Sequence, residues 1–204
     1  MLTALRLFNE EGETAVSAVD IANEMGISPG NLYYHYKGKE EIVPALAASF
    51  HEELMMVLDF AGQEPANLER LWIYIYIILE EIYDFRFLYL NLDNLTRTYP
   101  QISDRIRSIF YAKRRAITLV VEGLEAIGAI SIPDSLRDDV EELLLMAMTF
   151  WLQLDAIDPA SHKMKETIIH ASVYRIMILL LPYQTQDLDV ALQGLYQEHL
   201  TSKD

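Results

Sequence analysis

Residues 17–36 constrain the fold of this chain more than any other stretch. Ser17 with Asp20 three positions on reads as a helix start: the hydroxyl can accept an orphan backbone N–H, and the carboxylate suits the positive helix end. Ile21 and Met25 are four apart on one face, and Gly26 supplies a left-handed stop. Ile27 follows as an apolar turn residue. Ser28-Pro29 then opens a second helix, a cap followed by proline at the first helical position, which runs on through Gly30-Asn31-Leu32-Tyr33-Tyr34-His35-Tyr36. Two short helices joined by about three or four residues form a helix-turn-helix. Ala22 falls at the crossing, where a small side chain permits close approach. Ile21, Met25, Ile27 and Leu32 are expected to form the small core beneath.

The outward side of the second helix carries Asn31, Tyr33, Tyr34 and His35, with Lys39 at the start of the next helix. Amide, hydroxyl, imidazole and ammonium groups are the donors and acceptors that meet phosphates and base edges. Gly30 leaves room for backbone to come close. A tyrosine here can equally be a core aromatic, and Tyr36 is the natural candidate.

Leu7-Phe8-Asn9-Glu10-Glu11-Gly12, Val19-Asp20-Ile21-Ala22 and the run from Gly26 to Glu40 together resemble the TetR family of repressors. The likeness covers about the first 50 residues in spacing as well as residue type. It implies that Tyr33, Tyr34 and His35 lie on a recognition helix. It also implies that Ser17 and Lys39 contact phosphates and that Gly30 and Asn31 face bases, with Ser28-Pro29 starting that helix. The resemblance implies a homodimer on a palindromic operator of double-stranded DNA, and a second domain that binds an effector. One departure stands out: the family usually carries basic residues ahead of its first apolar positions, whereas Met1-Leu2 opens almost inside that helix.

Charge argues the other way. The chain carries 16 basic and 31 acidic residues, a net charge of −15, whereas phosphate binding needs a basic footprint. Even residues 1–47 hold only Arg6, Lys37 and Lys39 against Glu10, Glu11, Glu13, Asp20, Glu24, Glu40 and Glu41. Weak non-specific affinity and reliance on neutral donors are expected.

The remainder is helical in pattern, without alternating strand runs or hairpin turns. The expected fold is all-α: a three-helix headpiece over residues 1–47 and a larger helical domain over residues 48–204, with about nine or ten helices in total. Breaks are expected near Gly12, Gly26, Gly38, Gly62 to Pro65, Asp84, Pro100, Gly128 to Pro133, Ile157 to Pro159 and Pro182 to Thr185. The segment from Asp84 to Pro100 resembles the regulatory domain of one TetR subgroup. No cysteine is present, which fits a reducing compartment. The longest apolar run, Leu71 to Leu79, is too short to span a bilayer, so a cytoplasmic protein that makes no membrane contact is expected.

A helix over Leu68 to Tyr83 is apolar nearly all round, as buried helices are. Trp72, Tyr76 and Tyr83 share one of its faces, and Tyr111, Met148 and Trp151 come from later helices. These residues suit either a packed core or, as the resemblance implies, a pocket for an apolar or aromatic effector of modest size. Ile169, Val173, Ile176, Met177 and Leu180 form an apolar stripe on a helix over Ser161 to Leu181. A helix over about Ser135 to Ala156 is amphipathic as well. The stripe can face the chain's own core, or, as the resemblance implies, this helix pair joins its mate in a four-helix dimer interface. Lys113-Arg114-Arg115 and the carboxylates Glu80, Glu81 and Asp84 read as solvated surface.

No catalytic constellation is present. His51, His162, His170 and His199 are scattered, and there is no His-Glu-x-x-His, phosphate-cradling glycine loop or nucleophile elbow. No enzyme activity, cofactor or metal is expected. The reading is a sequence-specific DNA-binding regulator, a repressor released by a small effector. The alternative is a helical ligand-binding or protein-interaction module that has lost DNA binding.

Overall fold

The computed structural model describes residues 1–61, 67–157 and 164–201. Among them the chain forms α1 (Leu2–Glu11), α2 (Ala18–Glu24), α3 (Pro29–His35), α4 (Lys39–Leu58), α5 (Leu68–Asp84) and α6 (Arg86–Leu90). These are followed by α7 (Leu92–Thr98), α8 (Pro100–Ala126), α9 (Arg137–Ile157), α10 (Lys165–Met177), a 3₁₀ segment (Ile178–Tyr183) and α11 (Leu188–Thr201). The excess over the expected helix count arises between Asp84 and Pro100, where the chain turns through two short helices. The breaks placed at 62–65 and 157–159, with Ser161 and His162, lie wholly or partly outside the described residues.

The first three helices form as their caps dictate. Ser17 accepts from Asp20 N while Asp20 accepts from Ser17 N, a reciprocal capping box. Gly26 takes φ +66° beyond the end of α2, and Ile27 N reaches back to Ala22 O at 3.0 Å. That left-handed closure favours glycine, because a Cβ there would strain the backbone. Ala22, Ile21 and Leu32 are buried as expected, whereas Met25 is half exposed. It is the C-cap of α2, and the chain has already begun to turn away from the core there.

The headpiece is fastened to the rest of the chain. α4 runs unbroken from the headpiece into the larger domain. Asn9 on α1 grips the α5–α6 corner twice: its Nδ2 donates to Asp84 O at 2.7 Å and its Oδ1 accepts from Phe87 N at 3.0 Å. Phe8 packs on Phe87 with ring centroids 5.4 Å apart, and Phe50 of α4 meets Tyr89 edge-on.

α8, the longest helix, lies against α4, α7 and α9, while α5 packs between α4 and α10. Trp72 is wholly buried and donates to His170 Nδ1 at 3.3 Å. It also stacks on His199, which joins α11 to α5. One antiparallel bridge, Ile130 to Gln184, clips the α8–α9 connection to the end of the 3₁₀ segment.

Candidate nucleic-acid interface and effector domain

α3 presents a polar face on a rigid mount. Ser28 caps it by accepting from Asn31 N at 3.2 Å, Pro29 occupies its first turn, and Leu32 anchors its inner side. Tyr34 is 85% exposed, and Asn31, Tyr33 and His35 are also exposed. Tyr36 is partly buried against the core, the core aromatic of the set. Gly30 faces open space, with only Ser28 Oγ at 4.0 Å from where a Cβ would sit. The face can therefore lie flat against another surface.

Ser17 is exposed, but its hydroxyl is already committed: Oγ donates to Asp20 Oδ2 at 2.6 Å and accepts from Asp20 N at 3.2 Å. These bonds favour the charged carboxylate and hold the Asp20 carboxyl below its ordinary range.

Lys39 stands differently from its expected place as a free phosphate ligand. Its Nζ donates to Glu13 O at 2.6 Å and lies 3.1 Å from Glu13 Oε1. Tyr99 OH donates to the same Oε1 at 3.0 Å. Glu13 is buried, so this carboxylate joins the α1–α2 connection, the start of α4 and the α7–α8 corner. Neither Glu13 nor Tyr99 stood out in the sequence, because their partners are 26 and 86 residues from Glu13. Arg6 is likewise engaged, with Glu10 at 2.8 Å and with Glu24. Lys37 is the remaining headpiece cation, and its side chain makes no ion pair among the described residues.

The six residues expected around an effector do not converge on one cavity. Trp72 and Tyr76 belong to the aromatic group around His170. Tyr83 stacks on Trp151 at 6.4 Å, and Tyr111 is 62% exposed on α8. Met148 lines a small void of about 30 Å³ between α5, α8, α9 and α10, which has room for about one water. The larger space is an open groove of about 630 Å³ between the turn that follows α4, the first half of α5 and the last third of α8. Phe60, Ile73, Tyr74, Ile77, Leu119 and Val120 make its apolar walls, with Asn67, Arg70 and Glu122 among its polar lining residues. Leu71, Tyr74 and Val120 border both spaces. The sequence hid this groove because its walls come from α5, α8 and the turn after α4, whose apolar residues also read as core.

The expected dimer stripe is corrected by the packing. Ile169, Val173, Ile176, Met177 and Leu180 are all buried within the chain, where α10 packs against α5 and α9. The exposed apolar stripe is on α9, the other helix of the expected pair: Leu143, Met146, Phe150, Leu154 and Ile157 are each half exposed or more. Their spacing of three or four residues places them on one face. α9 is apolar on two faces, since Val140, Leu144, Leu145, Met148 and Leu152 are buried on its inner side.

Among the charges read as solvated surface, Lys113 is the one the packing encloses. Lys113 is 2% exposed. Its Nζ has the Met148 carbonyl at 3.4 Å and the Tyr89 ring at 4.8 Å. Burial pushes its ammonium down to about 7. Arg114 of the same run pairs with Glu142 at the surface. Glu80 and Asp84 share Lys165 at 3.3 and 2.6 Å. Burial, with Glu53 nearby, pushes the Glu81 carboxyl up to about 7. Glu81 Oε1, Thr149 Oγ1, Trp151 Nε1 and Gln153 Oε1 are buried without a hydrogen bond among the described residues.

A capped helix-turn-helix with an exposed polar second helix, mounted on a larger helical domain, defines a helix-turn-helix DNA-binding regulator. The comparisons with known proteins give the family. Residues 1–46 match the model of bacterial regulatory proteins of the tetR family, and residues 49–189 match the TetR model described as a bacterial transcriptional repressor. The chain belongs to the TetR family, whose members are DNA-binding regulators and not enzymes.

A TetR-family regulator from Marinobacter aquaeolei VT8 superposes with a TM-score of 0.84 at 25% identity, over 97% of this chain and 95% of that one. The ketosteroid regulator KstR2 of Mycobacterium tuberculosis shares the fold, with a TM-score of 0.65 at 24% identity over 91% and 94% of the two chains. An uncharacterized HTH-type transcriptional regulator of Bacillus subtilis (strain 168), YerO, is 32% identical over 71 residues, 32% of this chain and 25% of that protein. The chain thus matches only a quarter of the length of that curated relative. Among the described residues no helix is long and apolar enough to cross a membrane.

Proposed function

We propose that this chain is a homodimeric repressor that reads a palindromic operator through α3 and is released by a small apolar effector. The exposed polar face of α3, held by the Ser28 cap and the Leu32 anchor, carries the reading. Asn31, Tyr34 and His35 supply neutral hydrogen-bonding groups to phosphates and base edges. Such groups matter more here because two of the three headpiece cations are already paired.

The exposed stripe on α9 supports a second copy as partner, since a two-fold dimer uses the same patch on both subunits. Two headpieces would then meet half-sites about one helical turn apart. The groove between the turn after α4, α5 and α8 is the effector site in this reading. Its size and apolar walls suit a ligand of modest size, and it adjoins α4, which carries the headpiece. An effector that binds one headpiece spacing better than another shifts the dimer toward it.

The test is binding to DNA from upstream of the protein's own gene at about 50 and 200 mM salt. Sequence-dependent binding that weakens with salt supports the repressor. The internal pairing of Arg6 and Lys39, with the net charge of −15, favours one other reading: a ligand-binding module that has lost DNA binding. Absence of specific binding at both salts is the result that reading expects.

A further inference from the structure

A buried lysine without a carboxylate is costly, because an ammonium leaves water and gains little in return. Lys113 is such a residue. Its Nζ is enclosed by α6, α8 and α9, with one carbonyl at 3.4 Å and the face of Tyr89 at 4.8 Å. Among the described residues it makes no ion pair. Three N–H groups face one long hydrogen bond. On α9, next in sequence to the Met148 that accepts that bond, Thr149 is buried and its hydroxyl has no partner among the described residues. Two buried donors with unspent capacity thus lie on the packed helices α8 and α9.

That region continues the groove. Lys113, Ile117, Val120 and Leu124 fall on one face of α8 in successive turns. Leu124 and Val120 border the open groove, and Val120 and Ile117 border the small void. Met148 belongs to both places, since it lines the void and its carbonyl meets Nζ. From Val120 to Lys113 is seven residues, about 10 Å along the helix axis. Met148 is unbranched and adaptable, the kind of side chain that can swing aside.

We propose that the groove, the void and Lys113 form one site for an elongated amphiphile, an apolar chain ending in a carboxylate. The chain lies in the groove and the carboxylate reaches Lys113 and the Thr149 hydroxyl after Met148 moves. This assignment rests on the groove being the effector site. The carboxylate supplies the counter-ion that the fold withholds, and a charge-assisted hydrogen bond in a dry site is stronger than a neutral one. The depression of the Lys113 ammonium toward neutrality agrees with a lysine waiting for an anion. Its ring contact, Tyr89, belongs to α6, the helix that follows the corner gripped by Asn9.

The test uses the full-length protein with Nile red, a neutral apolar dye, as the groove reporter. Decanoate and 1-decanol are the competitors, each below its aggregation limit. In the wild type both displace the dye, and decanoate does so at a concentration at least tenfold lower than decanol. In Lys113→Met, which keeps the length and apolar stem, the two compete alike. Thr149→Val narrows the preference without abolishing it. Folding is checked by thermal melting, and Lys113→Met melts no lower than the wild type.

Dye binding with no preference for decanoate, or a preference retained in Lys113→Met, overturns the role of Lys113 and leaves the groove intact. Absence of dye binding to the wild type overturns the groove as an effector site and this proposal with it.

Discussion

Lys39 Nζ lies 3.1 Å from Glu13 Oε1 and donates to the Glu13 carbonyl at 2.6 Å, so a lysine that the sequence led one to expect at a phosphate is the counter-ion of a buried carboxylate. Glu13→Gln frees that charge while leaving an oxygen for Tyr99 OH. The expected result is tighter DNA binding at low salt. The plot of log affinity against log salt steepens by about 0.9 for each lysine that then reaches a phosphate. An unchanged slope shows that Lys39 stays out of reach of the backbone in the complex.

Tyr34 stands almost free of the chain, 85% exposed, so Tyr34→Ala should shift stability by less than about 0.5 kcal/mol. Operator affinity should fall about tenfold or more, as for loss of a base or phosphate contact of roughly 1–3 kcal/mol. Ser17→Ala gives the opposite balance: loss of the cap on α2 should cost about 1 kcal/mol. Urea unfolding beside a gel shift of each variant separates the two effects. A Tyr34→Ala protein that binds the operator as the wild type does removes α3 from the interface.

Two apolar stripes make contrasting predictions. Phe150→Glu with Leu154→Glu places charges on the exposed side of α9 and should yield a folded monomer by light scattering, because in the proposed dimer each copy buries the same patch. Ile169→Ala removes a wholly buried side chain and should destabilise the fold by about 2–4 kcal/mol without changing the oligomer. A dimer that survives both α9 charges places the interface elsewhere.

The buried ammonium gives a pH dependence of known sign. Lys113 is depressed by burial from 10.5 to about 7 in the folded chain, so between those values the unfolded chain binds the extra proton. Stability therefore rises with pH across that window, and the cost of the buried charge is fully present below it. Lys113→Met should flatten this contribution and raise stability at pH 7 by on the order of 3 kcal/mol. Denaturant midpoints of both proteins at pH 7 and pH 9 check it: a gap that fails to narrow at pH 9 shows that Lys113 is not the titrating group.

The headpiece was legible in the sequence because its signals are local. Ser17 with Asp20, Gly26 and Ser28-Pro29 act within a few residues, and caps and turns are decided at that range. The all-helical class was legible for the same reason, through the spacing of apolar residues. The resemblance of residues 7–40 to the TetR family gave the family, to which the chain belongs. The count of helices around α6 and α7 was not legible, since helices of five and seven residues carry too few positions for a period to show.

Local signals were enough to set the helix-turn-helix and the apolar faces of the long helices. Which apolar face meets which surface was settled by packing between distant segments. The stripe from Ile169 to Leu180 went into the chain's own core, while α9, apolar on two sides, buried one and left the other outside. Tertiary structure also decided the fate of the charges. Lys39 found Glu13, and Lys113, inside a run that reads as surface, was enclosed by α6 and α9. Periodicity tells that a residue shares a face with its neighbours three and four positions away. It carries no information on the partner, because that partner comes from a helix tens of residues distant and is set by packing alone.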